Sequence, residues 1–292
     1  METALFATDF SEYADHALEV LPHLKAAGLR RVVLEHALDE WQFVNWPMAG
    51  QQISAEIRDR AREALAERLS RVQAMGLEAV ARLDSGVPFR EIITASQAAG
   101  ADLIVMGAQG KSVLRELVLG SVSENVVRHA GVPVLLQRFP LPAKEGDERE
   151  FTVRPPFTRI LHPTDFSDTS HKALQFLLDN VRGVGAEVML LHVQDERRIK
   201  PYMQDMLPDF DRIDSERLEE MSARLREAEI TPQIRLVTGT PFLEIERAAA
   251  EWDATLIALG SHGRSALAEV MMGSVSSQVV RMLDRSVLVV RR

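Results

Sequence analysis

The chain has 292 residues, of which 46% are hydrophobic and 26% charged, with a formal net charge of −9 and no cysteine. This composition is typical of a globular protein, excludes disulfides and thiolate metal sites, and includes no apolar run long enough to cross a bilayer. The negative charge argues against non-specific nucleic-acid binding, because a phosphate backbone would be repelled overall. The first residues lack the basic start and long apolar core of a signal peptide, so we expect a cytoplasmic protein with no membrane partner.

The first half alternates short apolar runs with amphipathic segments, which predicts strands alternating with helices. The strands are predicted at 4–8, 31–37, 77–83, 101–106 and 132–137. A first helix begins at the capping residue Ser11 and keeps helical spacing of apolar residues as far as Leu24. Further helices are predicted at about 53–75, after Pro88, and at about 121–130. The long helix at 53–75 and its counterpart at 209–228 are expected to carry ordinary solvated charge. Five such alternations predict a parallel sheet with helices on both faces.

The second half repeats the first. Residues 103–136 align without a gap on residues 256–289, 153 positions later, with 16 identities in 34 positions. The repeat predicts two domains of about 140–150 residues, each large enough to bury a core of its own. We place them at residues 1–140 and 157–292, joined by a proline-rich, charged linker at 141–156.

In each copy a buried strand stops at a glycine, and a glycine–serine pair later precedes a helical pattern. Glycine allows a sharp turn and the close approach of a ligand, and a helix start offers unpaired amide N–H groups. Two such turns beside an open helix start predict a phosphate cradle in each half. The alternative is that the glycines only end a strand and begin a helix.

Asp9 and Asp165 follow the first strand of each half. In a doubly wound sheet the ligand lies outside the carboxyl ends of the strands, where the winding direction reverses. If the first strand neighbours the fourth, each aspartate meets the glycine segment of its own half. We therefore predict that both contact a ligand, the alternative being that they only form a turn ahead of a helix.

Thr-Asp-Phe-Ser at 8–11 and 164–167, followed by Gly-x-x-Gly, nine residues and Gly-Ser, resembles the universal stress protein family, and both halves resemble it almost completely. The glycine spacing resembles the ATP-binding branch, so the resemblance implies a tandem, Rossmann-like member that binds ATP with Mg²⁺. It implies that the phosphates are held in the first half by Gly107, Gly110, Gly120 and Ser121, with Ser123 as a further candidate. The corresponding set in the second half is Gly260, Gly263, Gly273 and Ser274, with Ser276. Asp9 and Asp165 would face the adenosine portion, and the backbone of Ala37 and Val193 would pair with the adenine edge.

Lys111, Arg264 and His262 stand inside the glycine segments and are candidate phosphate contacts, or else solvated loop residues. The segment at 107–112 is not a P-loop, because a P-loop has four residues between its glycines and follows the first strand. No catalytic triad, paired catalytic carboxylates or metal cluster stands out. We expect a stress-response regulator that changes conformation or partner when ATP binds. The alternatives are a slow ATPase or adenylyl-transferring enzyme, or a scaffold whose first-half site is vestigial.

The last strands, 132–137 and 286–291, are apolar edges that need covering. We therefore expect them to pair as an internal pseudo-dimer of the kind the family resemblance implies. Dimerisation of whole chains and a regulatory protein partner are also open.

Overall fold

The computed structural model describes residues 1–39, 50–109, 119–139, 151–199, 206–262 and 272–291. It falls into two compact units, Met1–Arg138 and Phe139–Arg292. Among the described helices, none is both long and apolar enough to span a membrane.

The first unit contains a parallel sheet of five strands. Its strands are β1 (Thr3–Ala7), β2 (Arg31–Leu38), β3 (Glu78–Ser85), β4 (Leu103–Gly107) and β5 (Val134–Gln137). Its helices are α1 (Glu12–Ala17), α2 (Leu21–Lys25), α3 (Gly50–Ala74), α4 (Pro88–Ala98) and α5 (Ser121–His129). The spatial order is β3-β2-β1-β4-β5, with Leu5 of β1 in register with Val33 on one side and Ile104 on the other.

The second unit repeats this plan. Its strands are β6 (Arg159–Pro163), β7 (Glu187–Asp195), β8 (Thr231–Gly239), β9 (Leu256–Gly260) and β10 (Ser286–Val290). Its helices are α6 (Asp168–Asn180), α7 (Glu196–Ile199), α8 (Leu207–Glu227), α9 (Pro241–Glu251) and α10 (Ser274–Met282). The order β10-β9-β6-β7-β8 is again fully parallel.

The central strands are buried along their whole length. All five residues of β4 are buried, and so are all five residues of β9. Successive side chains of a strand point to opposite faces, so continuous burial means that helices cover both faces of the sheet. The predicted α/β fold, with a five-stranded parallel sheet and flanking helices in each half, is confirmed.

The helix predicted to run from Ser11 to Leu24 is interrupted. Ser11 caps α1 as expected, its hydroxyl accepting from the Ala14 N–H, but residues Leu18–Val20 form a 3₁₀ turn before α2. Pro22 explains the break, because it has no N–H to donate back to the preceding turn. The matching helix α6 has no proline and is continuous over 13 residues.

The end of the predicted linker packs on the second unit. Arg154 donates to both carboxylate oxygens of Asp253, at 2.7 and 2.8 Å, and the Thr255 hydroxyl donates to the carbonyl of Pro156. Asp253 also accepts from Arg159. These contacts hold the chain directly before β6.

Candidate functional site

In each unit the first strand lies next to the fourth, β1 beside β4 and β6 beside β9. The chain winds towards opposite edges of the sheet from this point, and in doubly wound sheets such a reversal leaves a crevice at the carboxyl ends of the two strands. The aspartate turn and the glycine segment of each half therefore meet at one edge, as the sequence predicts.

A cavity opens at this edge in both units. The cavity has a volume of about 1050 Å³ in the first unit and about 500 Å³ in the second, which suits a ligand of nucleotide size. The predicted residues that line the first cavity are Asp9, Ala37, Gly107, Gly120, Ser121 and Ser123. Those that line the second are Asp165, Val193, Gly260, His262, Gly273, Ser274 and Ser276. Gly110, Lys111, Gly263 and Arg264 lie outside the described residues, and the roles of all these residues stay predictions.

Each cavity contains the start of a helix. In α5 the first intrahelical donor is the N–H of Glu124, which bonds the carbonyl of Gly120 at 2.9 Å. The three preceding amides, at 121–123, have no acceptor inside the helix. The start of α10 has the same form, with the Ser277 N–H bonding Gly273 at 2.8 Å. Neither helix has a side-chain cap, so both present amides and the positive end of the helix dipole to the cavity.

Ser123 and Ser276 fasten these helix starts to the sheet. The Ser123 hydroxyl donates to the carbonyl of Gly107 at 3.0 Å, and the Ser276 hydroxyl donates to the carbonyl of Gly260 at 2.8 Å. A hydroxyl has one proton to donate, and here it is engaged. A donor contact from these residues to a phosphate would therefore come from the main-chain amide.

The aspartates form turns and also face the cavities. Asp9 Oδ1 accepts from the amide of Ser11 at 3.0 Å and from its hydroxyl at 2.5 Å, and Asp165 Oδ1 accepts from the amide of Ser167 at 3.1 Å. The residue between the aspartate and the serine, Phe10 or Phe166, has a φ of 59°, which is uncommon for a residue with a bulky side chain. The aspartates therefore form the turn and also line the cavities, and their contact with a ligand stays a prediction.

Ring and cation contacts hold the two phenylalanines. Phe10 stacks on His36 with ring centroids 4.0 Å apart, and Phe166 packs on His192 at 4.5 Å. An arginine guanidinium also lies over the phenylalanine ring in each unit, Arg68 in the first and Arg217 in the second. Each histidine is fixed in turn, because its Nδ1 lies 2.7 Å from the carbonyl oxygen of the threonine directly after the first strand, Thr8 or Thr164.

One wall of the second cavity differs from the sequence prediction. Helix α8 was expected to carry solvated charge, but Asp214 is only 13% exposed and lines the cavity together with Phe210 and Arg217. A signal for this was present, because Asp214, Leu218 and Met221 follow helical spacing and the last two are buried. The prediction was wrong for this face of α8.

The described residues include no group of three or more histidine, aspartate or glutamate side chains that could hold a metal ion. His162 is fully buried, with Nδ1 2.8 Å from the carbonyl oxygen of Ala258, and burial lowers the pKa of its ring to about 4. It is therefore neutral at physiological pH and belongs to the core.

Comparison with known proteins agrees with this architecture. The sequence profile described as the universal stress protein family matches residues 1–138 and again 156–291. A universal stress protein from Methanocaldococcus jannaschii is 29% identical over 148 residues, which cover 45% of this chain and 91% of that protein. One from Mycobacterium tuberculosis is 27% identical over 199 residues, covering 66% of this chain and 62% of that protein.

A crystal structure of a universal stress protein from Archaeoglobus fulgidus superposes with a TM-score of 0.76 at 27% identity. The superposition covers 99% of this chain and 98% of the other. The family profile accounts for both halves in turn, and the tandem architecture is shared along the whole length. The chain belongs to the universal stress protein family, with two copies of the family domain.

Proposed function

We propose that the protein is an ATP-binding regulator of the stress response, with one nucleotide site in each repeat. The observation that carries this is the pair of uncapped helix starts, at Ser121 and Ser274, each opening into a cavity of nucleotide size. The amides there suit a phosphate chain, because each can donate a hydrogen bond along the helix dipole. The net charge of −9 does not oppose this, since short-range donors outweigh the average field.

The nucleoside would occupy the rest of each cavity, between the aspartate turn and the end of the second strand. Ala37 and Val193 line the cavities there, where their main-chain groups would meet the edge of an adenine. Mg²⁺, if it accompanies ATP, would be held mainly by phosphate oxygens and water, because the described residues offer no cluster of metal ligands.

The output is a change of conformation or partner rather than rapid turnover. Hydrolysis of ATP needs a residue that orients the attacking water, and no described residue is assigned that role. Sustained turnover that Asp165→Ala abolishes would favour the alternative of an ATPase or adenylyl-transferring enzyme. The pairing of the repeats as a pseudo-dimer and the assembly of whole chains stay predictions.

The first test is to denature freshly purified protein and to chromatograph the nucleotide that it releases. We expect about two adenine nucleotides per chain if both sites are filled, and one if only the second is filled. Gly273→Val should remove the second-site nucleotide, because a branched side chain at the helix start would occupy the path of the phosphates. Gly120→Val is the matched variant for the first site. Absence of nucleotide, with no binding on titration, would favour the scaffold alternative.

A further inference from the structure

The two cavities share their helix starts but differ in one wall. That wall is formed by the long helix between the second and third strands, α3 in the first unit and α8 in the second. Counted back from the helix ends, Ala74 and Glu227, Asp214 stands where the first unit has Ala61. On the adjacent strand, Gln194 stands where the first unit has Leu38, and all four residues line their cavities. At these two positions an apolar pair in the first unit therefore corresponds to a polar pair in the second, and the first wall has its own charged residue in Arg60.

A chain of hydrogen bonds fixes the carboxylate of Asp214. The Thr238 hydroxyl donates to Gln194 Oε1 at 3.1 Å, and Gln194 Nε2 donates to Asp214 Oδ2 at 3.2 Å. His192 Nε2 lies 3.4 Å from the same oxygen, while its Nδ1 faces the carbonyl oxygen of Thr164 at 2.7 Å. Gln194 is buried, so the orientation of the carboxylate is set inside the protein.

The other oxygen of Asp214 is available to a ligand. Oδ1 lies 3.8 Å from Arg217 Nη1, which is too long for a hydrogen bond, although the positive charge offsets that of the carboxylate. An ionised carboxylate only accepts hydrogen bonds, so the matching group on a ligand must be a donor. An ionised phosphate does not provide that group, because its oxygens accept hydrogen bonds and do not donate them. Ala61 has no equivalent acceptor in the first unit.

We propose that Asp214 is a specificity-determining residue of the second site and accepts a hydrogen bond from the nucleoside end of the ligand. The donor is either the exocyclic amino group of adenine or a ribose hydroxyl. This inference rests on the proposed nucleotide binding and deepens it. It makes the second site selective where the first site, with Ala61 and Leu38, discriminates less.

The test isolates the second site with Gly120→Val and measures the affinities of ATP, of ITP, and of 2′- and 3′-deoxy-ATP by calorimetry. ITP has a carbonyl oxygen in place of the amino group. A hydrogen bond to a charged acceptor predicts that ATP is preferred by about tenfold or more over the analogue that lacks the donor. Weaker binding of ITP than of ATP identifies the amino group as the donor. Weaker binding of a deoxy analogue than of ATP identifies the missing hydroxyl as the donor. Asp214→Ala should remove that preference.

Asp214→Asn gives a sharper result. Gln194 would retain the amide oxygen, so the amide nitrogen would face the cavity and present a donor in place of an acceptor. If the partner is the amino group, the preference should reverse towards ITP. If the partner is a hydroxyl, which both donates and accepts, the deoxy analogues should stay disfavoured.

Asp195→Asn is the matched control. Asp195 lines the same cavity and is similarly buried, but its two oxygens accept from Arg197 at 2.8 and 2.7 Å. Its replacement removes the same charge and should leave the ratios between nucleotides unchanged. If Asp214→Ala still binds ATP and its affinity ratios stay within about twofold of those of the parent, the inference is overturned but the proposed function is not. A parent that binds no nucleotide at either site would overturn the proposed function as well.

Discussion

The core of the first unit contains a carboxyl group, that of Glu35, which should make the stability of this unit depend on pH. The side chain is fully buried in β2, and neither carboxylate oxygen accepts a hydrogen bond from a described residue. The nearest cation is Arg82, whose Nε lies 3.6 Å from Oε2 but also bonds Asp84. Burial, reinforced by the charge of Asp84, raises the pKa of Glu35 from 4.5 to about 9.

The raised pKa of Glu35 means that this residue destabilises the folded protein as the pH rises. The folded protein keeps the Glu35 proton up to about pH 9, whereas the unfolded chain releases it near pH 4.5. The contribution of Glu35 to the free energy of unfolding is therefore most favourable below pH 4.5 and falls by about 1.4 kcal/mol per pH unit until pH 9. At pH 7 the loss is about 3 kcal/mol. Glu35→Gln stays neutral and should remove this pH dependence. Glu35→Leu should do the same and add apolar burial, since Leu191 fills the matching position of the second unit.

The assay is urea unfolding of the full chain at pH 5, 6, 7 and 8, followed by circular dichroism. Hydrogen exchange of β2 assigns the change to the first unit, because the two units need not unfold together. The difference between Glu35→Gln and the parent should be small at pH 5 and grow with pH. Glu78→Gln, at the exposed start of β3, is the control. Parallel pH profiles for parent and Glu35→Gln would refute the reasoning.

Two further predictions concern packing. At Gly260 an added Cβ would lie 2.7 Å from the carbonyl carbon of Thr169, so Gly260→Ala should cost about 1–3 kcal/mol. Gly107→Ala, whose nearest atom would be 3.2 Å away, should cost under about 1 kcal/mol, and equal melting temperatures would contradict this contrast. Arg68 donates twice to Asp15 at 2.5 Å and is 10% exposed, so Arg68→Ala should cost about 2–3 kcal/mol in urea unfolding. Arg68→Lys should recover part of this, because lysine keeps the charge without the forked geometry, and no recovery would show that the charge contributes nothing.

The helix starts that we propose for phosphate binding could be predicted from sequence because their determinants are local. A buried strand that stops at Gly107 or Gly260 and a helix that begins after Gly120 or Gly273 are both visible in one short segment. The duplication doubled that signal. The meeting of these segments with Asp9 and Asp165 needed only the strand order, which the alternation of strands and helices restricts strongly.

The wall at Asp214 could not be predicted in the same way. Its position depends on which face of α8 is turned to the cavity, and that is set by packing between elements far apart in sequence. A charged residue on a long charged helix is usually solvated, so the local pattern favoured the wrong environment. Glu35 is a similar case, because β2 has buried residues on both faces and a carboxyl group there breaks the apolar pattern.

Main-chain and side-chain groups have different roles at the proposed sites. Gly260 is required by the close approach of α6, and the hydroxyls of Ser123 and Ser276 bond the strand ends, so these residues have structural roles before any ligand binds. What remains for a phosphate chain is the row of main-chain amides at the two helix starts, which both units share. What remains for the nucleoside is the wall of the long helix, where, among the described lining residues, only the second unit has a carboxylate, Asp214. Affinity should therefore be common to the two sites, whereas selectivity should belong to the second.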